Sequence, residues 1–201
     1  MGTLQVDNIK STTIAENVES PITLSGNNAT LTNNVVFPAG HVISFATGTY
    51  TRTTDLAIGT SDYHLTDMSC DLVTTSTSNK LIVQFMIPDI WNQNTSTNAV
   101  HMGVRYNVGT GAFDNSAAQT LGGKSFPASY IGYQAGSETS SALTTAFVMV
   151  TATVPTVNTL RLYPILKGSN NGVHIFDNAS STSGGSYIYD EASIIAYEIK
   201  Q

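Results

Sequence analysis

A single cysteine, Cys70, stands among 201 residues. No disulfide can close within one chain, and no cysteine-based metal site can be built. Charge is as scarce: 8 Lys and Arg against 14 Asp and Glu, 11% of the residues, leave a net charge of −6. The basic residues Lys10, Arg52, Lys80, Arg105, Lys124, Arg161, Lys167 and Lys200 stand singly. Without a basic cluster the chain has no electrostatic footprint for a nucleic-acid backbone. The acidic balance opposes anionic membrane surfaces, and no apolar run approaches the roughly twenty residues of a membrane-spanning helix.

Catalytic and metal-binding patterns are equally thin. His41, His64, His101 and His174 lie far apart with no paired ligand spacing. Asp62, Asp67 and Asp71 lack the glycine and glutamate that complete an EF-hand loop. Glycoside hydrolysis needs two carboxyl groups about 5–10 Å apart across one substrate. Asp190 and Glu191 are adjacent, so on a strand they face opposite sides. Neither a Gly-x-Ser-x-Gly elbow nor a Walker-type loop occurs. The chain is therefore expected to be no enzyme and to carry no catalytic residue, metal or cofactor. Cys70, within 65–73, is expected to be a small buried strand residue.

What abounds is Thr, Ser and Asn, at 28, 21 and 16 residues. Hydroxyl, amide and β-branched side chains suit short strands and tight turns, and they are poor material for helix surfaces. Apolar content of 41% is enough for a core. Strand patterns fall at 42–50, 99–108, 144–154, 160–166, 173–176 and 187–199. The apolar run 80–87 stops at Pro88 and reads as a strand buried on both faces. Pro164 marks its strand as an edge or a bulge. Gly168-Ser169-Asn170-Asn171-Gly172 signals a hairpin. Many short strands with no helix predict an all-β, jelly-roll-like sandwich.

That sandwich is expected to span 38–201, as one head domain of about 160 residues. Residues 1–37 differ. Leu4, Val6, Ile9, Ile14, Val18, Ile22, Leu24 and Leu31 are isolated among polar turn formers, and so short a segment buries too little surface alone. Winding around sibling chains solves this, so 1–37 is expected to be an anchor and oligomeric stalk. Val35, Val36 and Phe37 would form its apolar seam at the joint with the head. Leu4, Val6 and Ile9 would form the anchor.

Several motifs carry a resemblance. They are Gly2-Thr3-Leu4-Gln5-Val6-Asp7-Asn8-Ile9-Lys10 and Phe37-Pro38-Ala39-Gly40-His41-Val42-Ile43 at the front. Thr77-Ser78-Asn79-Lys80-Leu81-Ile82-Val83 lies in the middle; Val154-Pro155-Thr156-Val157-Asn158-Thr159-Leu160 and Ser193-Ile194-Ile195-Ala196-Tyr197-Glu198-Ile199 lie towards the end. In this order they resemble small tail-fibre and virion structural proteins of marine bacteriophages. The resemblance implies a homotrimer in a virion, with its N-terminus on another virion protein. A tail fibre would contact host surface glycan or an outer-membrane protein. The alternative is a capsid-anchored head fibre or decoration protein without a receptor role, and a surface polysaccharide depolymerase comes last. The N-terminus shows no secretory signal, in keeping with assembly in a host cytoplasm and with no membrane insertion.

Two stretches are candidates for receptor binding. The glycine-rich 107–138 region is expected to be loops displaying Phe113, Tyr130 and Tyr133, whose rings suit stacking on sugars. Such aromatics equally suit a subunit interface. Trp91 and Asn92 would form a second platform with amide hydrogen bonding, although a Trp ending a buried strand also caps a core. The stalk seam gives a direct test. Phe37→Asp puts a charge into each chain's share of a dry axis, at several kcal/mol in all. Light scattering should show loss of the trimer.

Overall fold

A computed structural model describes residues 22–25, 28–31, 38–52, 56–92, 98–132, 144–169, 173–175 and 190–201. The chain divides into two compact units, Met1–Pro38 and Ala39–Gln201. In the first, β1 (Ile22–Ser25) pairs antiparallel with β2 (Asn28–Leu31). Leu4, Val6, Ile9, Val35, Val36 and Phe37 lie outside the described residues.

The second unit is all-β, as its composition predicts. Its strands are β3 (Val42–Arg52), β4 (Leu56–Ile58), β5 (Tyr63–His64), β6 (Cys70–Val73), β7 (Lys80–Asn92) and β8 (Asn98–Val108). They continue with β9 (Gln119–Thr120), β10 (Ala128–Gly132), β11 (Thr144–Thr153), β12 (Thr159–Gly168), β13 (Val173–Ile175) and β14 (Asp190–Ile199). Among the described residues the helical content is one 3-10 turn, Leu121–Gly123.

Two antiparallel sheets result, each four positions wide, with some positions filled by two short strands in series. In the first sheet β8 and β12 are central. β9 and β10 flank β8, while β5 and β6 flank β12. In the second sheet β7 lies between β11 and the pair β14 and β13, which in turn carry β3 and β4. Three residues link β3 to β4, a reach of about 15 Å. Lying on opposite sides of β7 would separate them by about 19 Å, four strand spacings. They therefore share one side.

Counted as eight positions in chain order, the first pairs with the eighth and the second with the seventh. The third pairs with the sixth, and the fourth with the fifth. The described strands of this unit thus pair as one long antiparallel hairpin folded into two sheets. The inward residues make a common core: Leu81, Val83, Phe85 and Ile87 of β7, with Ala192, Ile194 and Ala196 of β14. Facing them are Val100, Met102 and Val104 of β8, and Leu160, Leu162 and Leu166 of β12. Cys70 is buried there as expected, and burial pushes its thiol up to about 12. Gly48 on β3 faces inward where β6 leans in; any Cβ there would overlap the Ser69 carbonyl.

Four sequence expectations need correction. β7 does not stop at Pro88 but runs to Asn92. Pro88 falls past the end of the β14 pairing and beside a register shift against β11, so its missing N–H interrupts no ladder bond. Nor is β7 sealed on both faces, since Ile82, Gln84 and Met86 are partly exposed. Pro164 sits in an inner strand, not an edge. Its carbonyl accepts from Leu65 N (3.0 Å), so its nitrogen faces the gap where β6 has ended and β5 begins. The 168–172 stretch joins no hairpin, because β12 and β13 belong to different sheets. With β8 on one side of β12 and β5 and β6 on the other, no edge was free to receive β13.

One polar network interrupts the apolar interior. Thr74, Asn79 and Glu198 are the buried polar residues of the described chain, and all lie at one end of the sandwich. The Glu198 carboxylate accepts from Thr75 N (2.9 Å), Thr75 Oγ1 (3.0 Å), Ser76 N (3.1 Å) and Asn79 Nδ2 (2.7 Å). Asn79 also accepts from Gln201 N through Oδ1 and from Val154 N through its carbonyl. Thr74 Oγ1 donates to the 156 and 158 carbonyls and accepts from Asn158 N (3.0 Å). Both sheet-to-sheet crossings at this end, 74–79 and 154–158, are thereby held. Glu198→Ala would strand these donors, each costing about 1–3 kcal/mol if no water replaces the carboxylate. Urea unfolding should show a loss of about 3 kcal/mol or more at unchanged m-value.

Candidate functional site

The outer face of the β8–β12 sheet carries most of the head's described chemistry. Alternation along β12 turns Leu160, Leu162 and Leu166 inward and Arg161, Tyr163, Ile165 and Lys167 outward. On β8 the same rule turns His101, Gly103, Arg105 and Asn107 outward. Asp62 lies between two cations, 3.7 Å from Arg105 Nη2 and 3.5 Å from Lys167 Nζ. Arg105 Nη1 also donates to Thr120 Oγ1 (2.6 Å). His64 leans on Tyr163 with ring centroids 5.8 Å apart. Burial, and then the Arg105 charge, push the His64 imidazole below its ordinary value despite Asp62.

The segment after β8 folds back over this face. Gly109 takes a positive φ of 89° as the strand ends, a conformation glycine adopts without strain. Arg161 then acts as a clasp. Its guanidinium forks onto Asp71 (2.7 and 2.8 Å) and donates its remaining edge to the Gly111 carbonyl (2.6 Å). It also lies 5.1 Å from the centre of the Phe113 ring, whose edge meets Tyr163 at 5.1 Å. Asn107 completes the hold, accepting from Tyr163 OH (3.1 Å) and donating to the Asp114 carbonyl (2.9 Å). Asp114 Oδ1 accepts from Ser116 N, Ser116 Oγ and Ala117 N, which holds its carboxyl below the ordinary range. Farther along, Ser125 and Pro127 crowd Gly103, where any Cβ would overlap the Ser125 carbonyl.

Under the folded-back segment lies a groove of about 300 Å3 lined by Asn107, Val108, Gly109, Gly111, Ala112, Asp114, Ala117 and Gln119. Its walls offer glycine backbone, two amides and one carboxylate. Groups of this kind exchange hydrogen bonds with a hydroxyl-rich small ligand.

The sequence-derived candidates scatter. Phe113 is at this site, but as a packing ring that seats the loop. Tyr130 is in strand β10, opposite Val100, and not in a loop; the region 107–138 is thus interrupted by β9 and β10. Trp91 and Asn92 close β7, opposite His174 and Val173. The Tyr130, Trp91 and Asn92 side chains and all of Tyr133 lie outside the described residues. The groove residues Asn107, Asp114 and Gln119 were not singled out by sequence; the glycines Gly109 and Gly111 were the available signal. The Arg161–Asp71 fork was not visible at all, since 90 residues separate the partners.

Compared with known proteins, the chain matches no family model and no curated protein. The clasp makes its own pH test. Hydrogen bonding from Arg161 holds the Asp71 carboxyl below its ordinary 3.8. A depressed folded value means the contribution is complete at neutral pH and is lost as pH falls below 3.8. Amide exchange across 109–117, corrected for its intrinsic pH dependence, should accelerate in that range. Arg161→Lys, which loses the fork, should show the acceleration already at pH 7.

Proposed function

We propose that this chain is a bacteriophage virion structural protein, a short homotrimeric fibre whose jelly-roll head contacts the host surface from a tail. The rolled eight-position hairpin, pairing first with eighth through fourth with fifth, carries the reading. It is the pairing expected of a jelly roll, an architecture of viral capsid and lectin domains. Fold does not by itself set function. The support comes from its conjunction with a separate N-terminal unit and with motifs that resemble marine phage fibre proteins. The N-terminal unit serves as stalk and anchor, with Val35, Val36 and Phe37 at the seam. The head's groove, together with the candidate residues Tyr130 and Tyr133, offers the contact surface for host glycan or outer-membrane protein.

A second reading has one observation in its favour. Phe113, a candidate sugar platform, is engaged with Arg161 and Tyr163. A head whose rings serve packing suits a capsid-anchored fibre or decoration protein without receptor contact.

Binding experiments separate the two. The full-length oligomer should bind susceptible bacteria and release no reducing sugar. Tyr130→Ala with Tyr133→Ala should weaken that binding at unchanged melting temperature. Each aromatic stack is worth roughly 0.5–1.5 kcal/mol, so with three heads engaged the loss should exceed tenfold. Oligomer that binds no cell, together with antibody label on capsids and not tails, would favour the decoration protein. Sugar release abolished by one carboxylate substitution would establish a depolymerase.

A further inference from the structure

The two outer faces of the sandwich are chemically opposite. That of the β8–β12 sheet holds Arg105, Arg161, Lys167, Asp62 and Asp71 and is crossed by chain at 109–117 and 125–127. The other sheet turns outward Phe45 and Thr47 from β3, Tyr197 and Ile195 from β14, Ile82, Gln84 and Met86 from β7, and Phe147 and Met149 from β11. Register sets them in rows: Phe45 beside Tyr197 beside Ile82, Thr47 beside Ile195 beside Gln84 beside Met149, and Met86 beside Phe147. Phe45 is 69% exposed, Phe147 58% and Met149 57%. They are the largest exposed hydrophobic side chains among the described residues, and one face holds all three. Among the described side chains its charges are Lys80 and Glu191, at opposite ends.

We infer that this face is the seam along which the heads of identical chains pack. The inference rests on the homo-oligomeric reading above and gives it an address on the head other than the stalk and the 107–138 aromatics that the sequence suggested. Charge selects the occupant. A second copy of a chain of net charge −6 is repelled wherever acidic groups meet, and this face is where they do not. A strongly charged partner would find nothing here to pair with, and would leave its own charges desolvated. Size agrees. Four strand positions about 4.8 Å apart and ten residues of about 3.4 Å each make a footprint of about 650 Å2. With side chains standing on it, the accessible area approaches the ~800 Å2 per partner of a standard specific interface. So extended an apolar surface is unusual on a monomer.

Cys70 makes the test clean, because its buried thiol, pushed up to about 12, is slow to react with a maleimide. Thr47→Cys places a lone reactive thiol on the face, and Val157→Cys places one on an exposed site outside it. In the full-length oligomer Cys at 157 should label as fast as a free thiol, and Cys at 47 at least tenfold more slowly. Adding Met149→Glu should restore fast labelling at 47. Sedimentation of the unsubstituted chain separates the outcomes. A monomer would overturn both this inference and the homo-oligomeric reading. An oligomer whose thiol at 47 labels at the free rate would overturn this inference alone.

Discussion

The sandwich depends on a buried carboxylate held by hydrogen bonds, with no ion pair to it among the described residues. Glu198, fully buried at the end of β14, is held by the backbone and side chains of 75–79. That loop carries the chain from the first sheet to the second. Through Asn79 and Thr74 the same network reaches 154–158, which carries it back. Apolar burial holds the sheets face to face but is indifferent to how one slides over the other. Directional bonds to a buried group are not indifferent, because a shifted register strands several donors at once. One network therefore fixes how the two halves of the rolled hairpin meet.

With that end fixed, the two outer faces are free to differ. The β8–β12 face spends its charges internally: Arg161 on Asp71 and Gly111, Arg105 and Lys167 on Asp62. The Arg161 contacts hold down the segment that walls the groove. The opposite face keeps large apolar side chains in the open, with threonines around them. One face carries a fastened loop, the other exposed apolar side chains. On the proposed reading as a fibre head, the surface offered to a host and the seam between copies then fall on different residues.

The all-β class was legible because low charge, abundant Thr and the absence of helix-period patterning all agree. The long strands were also legible, and apart from the end of β7 their limits fell within a few residues. What misled was local chemistry read without neighbours. Gly168 through Gly172 has hairpin composition, but β12 had no free edge, and occupancy of an edge is a tertiary fact. Pro164 signals an edge by its missing N–H, yet a broken neighbour serves as well. β11 shows why the apolar outer face was hidden. Ala146, Val148 and Val150 point inward and Phe147 and Met149 outward, so its pattern is apolar on both faces. The larger set points out, the reverse of the usual expectation. The Glu198 network was invisible because its donors lie more than 100 residues away in sequence. Of the candidate binding residues, Phe113 reached the site, in a packing role that its sequence neighbours Gly111 and Asp114 do not reveal.

The proposed association of this all-β head with its own copies runs through the face bearing Phe45, Tyr197 and Met149. A cryo-electron microscopy map of the full-length chain tests it most directly. The account predicts three heads around a common axis, with those side chains turned to the axis and the 109–117 segment outermost. A map in which the heads meet through the β8–β12 face, or stand apart with Phe45 and Met149 in solvent, would contradict it.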